Sequence, residues 1–255
     1  MGNRGCLLIV GLGPGAAATL TPQARESIGR SGVVIGYEGY FAWVADLVAG
    51  KECIALPLTQ EVERARLAVA RAGEGDSVCV ISSGDAGIYG MASLVLEFLE
   101  SDHPVDGPEV AVIPGISAVN ACAALLGAPL AHDFAVISLS DLLTPWELIE
   151  RRLLAAAGAD FVVALLNPKS GRRAWQFPRA RDLLLHYLPL QTPAGLVRNA
   201  YRPGQSVDMT TLGRMADSPV DMLTTVIVGN SRTRLLGHWL VTPRGYRLDP
   251  EGAGP

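Results

Sequence analysis

The sequence predicts an α/β fold: two α/β domains with mostly parallel sheets and an active-site cleft between them. Two observations lead there. Short β-branched apolar runs alternate with longer helix-like stretches. Glycine-rich segments follow several of those runs, which is where open α/β sheets place their ligand groups. At 255 residues the chain can build one large or two small domains around a proper core, without metals or disulfides.

The first series of strands falls at 6–10, 33–35, 78–81 and 110–113, with helices at 22–29, 62–72 and 91–99 between them. A second series follows at 134–138, 161–166, 194–197 and 225–228, with helices from Thr144 and Trp175. Thr144 is placed to cap, Pro145 to occupy the first helical position and Glu147 to complete a capping box. Pro114-Gly115 redirects the chain after the fourth strand. The expected domains are therefore 1–114 and 115–248, with 249–255 a Gly- and Pro-rich flexible tail. Two such halves leave a cleft between them, a usual place for a small-molecule site.

Composition excludes several classes. Net charge is -4 and pI about 5.6, so there is no basic footprint for nucleic acid. The hydrophobic fraction is 49% and mean hydropathy +0.28, yet no apolar run approaches the roughly 18 residues a membrane span needs. Glycines from Gly11 interrupt the first apolar run too early for a signal peptide, so the N-terminus reads as a first strand. Cys6, Cys53, Cys79 and Cys122 have no metal-ligand spacing; buried free thiols, no metal and a cytoplasmic setting are expected. All but two of the 21 basic residues are arginine, Lys51 and Lys169 being the exceptions.

Gly11-Leu12-Gly13-Pro14-Gly15 follows the first strand and invites a dinucleotide reading, with Glu38 as the ribose acid of an NAD(P)-dependent oxidoreductase. The spacing opposes it. Position 16 is Ala where the fingerprint wants Gly, and the helix start at Thr21-Pro22 is too remote to meet a pyrophosphate. Ser82-Ser83-Gly84-Asp85-Ala86-Gly87-Ile88-Tyr89-Gly90 is the most informative stretch. It is either a ligand loop whose backbone approaches a small molecule closely, or a tight strand-to-helix turn with Asp85 as a helix cap.

Those two segments, with Ile113-Pro114-Gly115-Ile116-Ser117-Ala118, resemble the tetrapyrrole (corrin and porphyrin) methylases. Three further stretches resemble the branch that acts on C17 of precorrin-3B in cobalamin biosynthesis: 129–141, Leu166-Asn167-Pro168-Lys169-Ser170, and Asp221-Met222-Leu223-Thr224-Thr225 running into Val228-Gly229-Asn230-Ser231. The likeness extends from Leu7 to about Arg234. It implies a homodimeric enzyme that transfers a methyl group from S-adenosylmethionine to a precorrin or cobalt-precorrin, with ring contraction. Cobalt-factor III, another macrocycle carbon, or a non-catalytic tetrapyrrole carrier are the alternatives.

The resemblance nominates Pro14, Ser83, Gly84, Asp85, Ile88, Ser117, Ala118, Leu166 and Gly229 as cofactor contacts. Many members carry Asp immediately after the first Gly-Pro-Gly, whereas this chain has Ala16, so no base can stand there. Asp85, His132 and Asp133 are then the candidate bases for ring contraction. For the last two, the plainer reading is a loop histidine and a strand-capping aspartate, and Asp141 is expected near a helix cap. Lys169, Arg172 and Arg198, with Arg173 and Arg202 nearby, are candidates to pair substrate carboxylates, against the alternative of an ordinary solvated surface.

Overall fold

Successive βα units require parallel neighbours, and the first half of the chain pairs that way throughout. The computed structural model describes residues 5–102, 107–171 and 173–246. Two compact units, Met1–Ala118 and Val119–Pro255, divide the chain; the segment 249–255 lies outside the described residues.

The first unit runs β1 (Cys6–Gly11), α1 (Pro22–Arg30), β2 (Val33–Tyr37), α2 (Ala45–Val48), β3 (Glu52–Leu56), α3 (Glu61–Gly73), β4 (Ser77–Ser82), α4 (Ala92–Asp102) and β5 (Glu109–Ile113). Its five strands lie in the order β3-β2-β4-β1-β5, every pairing parallel. Alternate residues point to opposite faces. Leu8, Val10, Cys79 and Ile81 pack with Ala24 and Ile28 of α1. On the other face Leu7, Ile9, Val78 and Val80 pack with Ala65 and Val69 of α3 and Val95 of α4. Burying each such leucine or isoleucine stabilises the fold by roughly 1.5–3 kcal/mol relative to exposure.

Helix α1 starts where the sequence indicates, with Thr21 Oγ1 accepting from the Ala24 N–H at 3.1 Å and proline in the first turn. At its far end Lys51 Nζ donates to the carbonyls of Gly29 and Ser31, at 2.7 and 2.6 Å. Strand β3 has a short apolar run, Cys53 to Leu56, outside the strands expected from sequence; it is a largely exposed edge strand with no alternation of apolar and polar residues.

The second unit contains α5 (Ala118–Leu126), β6 (Gly127–Ala128), β7 (Phe134–Ser138), α6 (Trp146–Gly158), β8 (Val162–Leu166), α7 (Gln176–Leu184), β9 (Pro193–Arg198), β10 (Ser206–Thr211), β11 (Thr224–Val228), β12 (Arg234–Leu236) and β13 (Trp239–Val241). Its main sheet has the order β10-β9-β11-β8-β7. Only β7 and β8 pair in parallel; β8 with β11, β11 with β9 and β9 with β10 are antiparallel. The expectation of mostly parallel sheets therefore holds for the first sheet and not for the second. Seven residues join β9 to β10, too few for the crossover a parallel return demands.

Leu153 of α6, Phe177 of α7, Val163 and Leu165 of β8, and Val226 of β11 share one core. Helix α5 covers the opposite face, where Leu126 fills the space a side chain on Gly195 would take. Strands β12, β13 and β6 form a small separate sheet. Helix α6 corrects the capping-box expectation: it begins at Trp146, Pro145 is the N-cap, and no side chain caps it. Burial pushes the Cys79 thiol up to about 12 and Cys122 to about 11. Cys6 is only partly buried and Cys53 is exposed, so the thiol expectation holds for two of the four.

Candidate functional site

Strands β4, β1 and β5 are neighbours in the first sheet, so the three glycine loops that follow them emerge side by side. Helix α1 leaves β1 toward one face and α4 leaves β4 toward the other. That divergence between adjacent strands is a topological switch point, where α/β sheets bind ligands. The loops interlock there through backbone. Gly13 N–H donates to Gly84 O at 3.0 Å and Gly84 N–H returns a bond to Gly13 O at 2.8 Å, while Leu12 N–H donates to Ser82 O at 2.8 Å. A Cβ on Gly115 would run into the Gly84 carbonyl and lie 2.7 Å from Gly11 backbone. Gly84 itself has φ +64°, a left-handed conformation that glycine adopts without strain.

Asp85 sits across this junction. Its Oδ1 accepts the Gly87 N–H at 2.8 Å and its Oδ2 the Gly115 N–H at 3.0 Å. The helix-cap alternative fails, because α4 starts only at Ala92. Each hydrogen bond to a charged group contributes about 1.5–3 kcal/mol. Asp85 thus ties the 82–90 loop to the 113–118 loop, and both its oxygens already accept backbone protons.

The other nominated residues share this edge. Ser117 is buried and Ala118 exposed, with the Ala118 nitrogen 3.6 Å from where a Gly84 Cβ would stand. Pro14 is buried next to Gly13, and Ile88 is exposed. Ser83 is half-buried, with its Oγ 2.9 Å from Tyr40 Oη. Tyr40 is a residue that motif reading missed. The available signal was positional: β2, whose exit turn carries Tyr40, lies next to β4. A hydroxyl at Ser83, an open apolar face at Ile88 and a small residue at Ala118 suit a nucleoside-sized ligand.

A dinucleotide is not favoured. Pro22 supplies no N–H at the start of α1 and Thr21 Oγ1 already accepts the Ala24 N–H, so the first turn of α1 offers a pyrophosphate few donors. Glu38 lies in a 3₁₀ turn, Glu38–Trp43.

In the second unit β11 runs against both β8 and β9, so β7, β8 and β9 point the same way and end on one edge at Ser138, Leu166 and Arg198. Side chains organise this edge. Arg173 Nη1 donates to Leu139 O and Asn167 O, each at 3.1 Å, and its Nη2 lies 3.2 Å from Met222 Sδ. Asn167 has φ +53° and its Nδ2 donates to Ser138 Oγ at 2.9 Å. Arg198 Nε donates to Asp221 Oδ2 at 2.6 Å. Burial raises the Asp221 pKa, but Arg198, the Thr224 hydroxyl and the Leu223 N–H together outweigh it and hold the carboxyl below its usual range. Arg173 and Arg198 are therefore committed to internal partners. Lys169 is exposed and makes no ion pair among the described residues, and Arg172 lies outside them.

His132 and Asp133 precede β7 and so stand at the other end of that sheet. Asp133 O accepts the Val162 N–H, and the run from Asp133 to Ser138 spans about 16 Å at 3.3 Å per residue. They line a cavity of about 410 Å³ with Leu130, Ala131 and Arg244. Asp133 N–H donates to His132 Nδ1 at 2.9 Å, which assigns the neutral ring's proton to Nε2. The structure does not bring this pair together with Leu166, Lys169 or Arg198. Gly229 also lies at this far end, since Leu165 pairs with Val226 and Val163 with Val228. A Cβ on Gly229 would collide with the Thr233 side chain, which accounts for the glycine by packing. Asp141 accepts from Gln176 Nε2 at 3.0 Å, a tie to α7. No cluster of His, Cys, Asp and Glu suited to a metal occurs among the described residues.

A parallel sheet whose loops close over a switch point, followed by a second α/β unit, is the architecture of α/β enzymes that take small ligands at strand ends. The chain belongs to the Tetrapyrrole (Corrin/Porphyrin) Methylases, whose sequence profile matches residues 7–216. It is thereby a methyltransferase. It is 52% identical to the cobalt-factor III methyltransferase of Priestia megaterium over 96% of this chain, and spans about half of that protein (46%). It is 48% identical to the probable cobalt-factor III C(17)-methyltransferase of Salmonella typhimurium, over 95% of this chain and 100% of that one. With the precorrin-3B C(17)-methyltransferase of a Sinorhizobium species it shares 39% identity over 95% of this chain and 97% of that one. The crystal structure of the methyltransferase CobJ superposes with a TM-score of 0.86 at 37% identity, covering 94% of this chain and all of that one (100%).

Proposed function

We propose that this enzyme transfers the methyl group of S-adenosylmethionine to C17 of a cobalt-factor III or precorrin-3B macrocycle, with ring contraction, in cobalamin biosynthesis. The interlocked Gly13–Gly84–Gly115 edge, tied by Asp85, is the observation that carries the cofactor half of the reading. The substrate half draws on the relatives. Those named for cobalt-factor III are 52% and 48% identical and the one named for precorrin-3B 39%, which favours a cobalt-containing macrocycle.

S-adenosylmethionine, when bound, supplies a methyl group already activated on a sulfonium. The protein's part is placement: Ser83, Ile88 and Ala118 hold the nucleoside, with Leu166 proposed as a further cofactor contact and Lys169 as the partner of a substrate carboxylate. Holding two reactants in line removes much of the barrier without an acid or base. Ring contraction needs a proton removed, and Asp85, with both oxygens accepting N–H bonds, serves the fold before it serves as a base. The reading extends to a homodimer, checked by sedimentation, and to the reducing cytoplasm, where four free thiols are at home.

The deciding experiment incubates the protein with methyl-labelled S-adenosylmethionine and, separately, cobalt-factor III and metal-free precorrin-3B, then locates the label by mass and NMR. A label at C17 of a contracted ring is expected, faster with the cobalt-containing macrocycle. Label on another carbon, or none, removes the reading.

A further inference from the structure

Between β2 and α2 the chain makes a 3₁₀ turn, Glu38–Trp43, that no ligand motif covers. With Tyr37 at the end of β2 it brings three aromatic rings into contact. Tyr37 meets Tyr40 edge-on with centroids 5.1 Å apart, and Tyr40 meets Trp43 at 4.9 Å. Such packing holds the Tyr40 ring from both sides, and aromatic pairs of this kind are worth about 0.5–1.5 kcal/mol beyond their buried area. The one polar atom of that fixed ring reaches across 43 positions of sequence to Ser83 Oγ, 2.9 Å away. Ser83 is the first residue after β4, at the mouth of the interlocked loops.

We infer that Tyr40 is a positioning residue for the cofactor loop: its phenol donates to Ser83 Oγ and so turns the Ser83 proton outward, toward a ligand acceptor. The direction follows from acidity. A phenol, with an ordinary pKa near 10, is a stronger donor than an aliphatic hydroxyl. A serine oxygen that accepts one such bond has its own O–H left to give, polarised by the bond it receives. Asp85 cannot take this part, since its oxygens only accept and both are engaged by N–H groups. The backbone of the loops is held by glycine contacts, and the orientation of the Ser83 hydroxyl is held by Tyr40. The inference rests on the reading of residues 83–88 as contacts of S-adenosylmethionine.

The test is calorimetric binding of S-adenosylmethionine and S-adenosylhomocysteine to the full chain and to Tyr40→Phe, Ser83→Ala and the double variant, with melting temperatures alongside. Phenylalanine keeps the ring stack and removes only the hydroxyl. Tyr40→Phe is expected to bind five- to twenty-fold more weakly at an unchanged melting temperature, and the double variant no more weakly than Ser83→Ala alone. In turnover the loss should fall on the KM for S-adenosylmethionine, with kcat at saturation within two-fold. Tyr40→Phe binding within two-fold of the parent overturns the inference, as do losses that simply multiply in the double variant. Should Tyr40→Phe melt early, Ser83→Ala binding as the parent does overturns it equally. Failure of the parent itself to bind S-adenosylmethionine removes the proposed function and this inference together, whereas the other negative outcomes leave the function standing.

Discussion

The strand-end edges of the two sheets are made by opposite means. In the first, Gly11, Gly84 and Gly115 bring three loops into backbone contact, and the side chain at the junction, Asp85, accepts only backbone protons. In the second, Arg173, Asn167 and the Arg198–Asp221 pair hold the strand ends at side-chain length. Close backbone contact leaves no slack for an added methyl group. A side-chain strut can be shortened or removed with the loops still connected, so the two edges should respond very differently to substitution.

The largest effect is expected from Gly115→Ala. A Cβ there has no room beside the Gly84 carbonyl and Gly11, so the loops must part. Loss of about 3 kcal/mol in urea unfolding and at least 100-fold weaker S-adenosylmethionine binding are expected. An alanine variant of near-parental affinity would break the comparison at its root. Asp85→Ala comes next. It strands two backbone N–H groups and should cost about 2 kcal/mol and roughly ten-fold in affinity. If cofactor binding and turnover both survive it, that loop is not the cofactor site.

Arg173→Met probes the other edge. Two carbonyls lose a donor at a half-exposed position, and about 1 kcal/mol of stability by denaturant titration is expected, with the macrocycle KM rising more than that of S-adenosylmethionine. Arg198→Met should be milder, below about 1 kcal/mol, because both partners are partly exposed. Its signature is in pH. The Asp221 carboxyl is held below its unfolded value, so its contribution is full above about pH 4 and lost as pH falls through the folded pKa. The stability difference between parent and variant should therefore be present at neutral pH and vanish in acid; a difference that persists below about pH 2 denies the pairing. The smallest effect belongs to His132→Ala with Asp133→Ala, which lie about 16 Å along the sheet from the Leu166 edge. Ring contraction within two-fold of the parent is expected from product analysis, and a large loss would return the pair to the catalytic list.

Sequence alone supplied the βα alternation, the Thr21-Pro22 start and the three glycine loops, because each is a local pattern with a local cause. It could not show that the loops meet, which depends on β4, β1 and β5 being neighbours. Asp85 was visible as a conspicuous carboxylate, but its partner at Gly115 is 30 residues away. The reversed strands of the second sheet were hidden for another reason: β10 is mostly exposed, reads as polar, and leaves no apolar run to count. The basic residues near the second edge looked alike in sequence. Only folded geometry separates Arg173 and Arg198, which are bonded to partners in their own unit, from Lys169, which makes no ion pair among the described residues.

That separation has a practical side. Of the chain's two lysines, Lys51 has its ammonium pressed into the carbonyls at the end of α1, while Lys169 stands exposed next to the Leu166 strand end. Amine acylation under native conditions should therefore reach Lys169 before Lys51. Under the proposed function that one modification removes the charge offered to the macrocycle, so bound macrocycle should in turn shield Lys169 from the label.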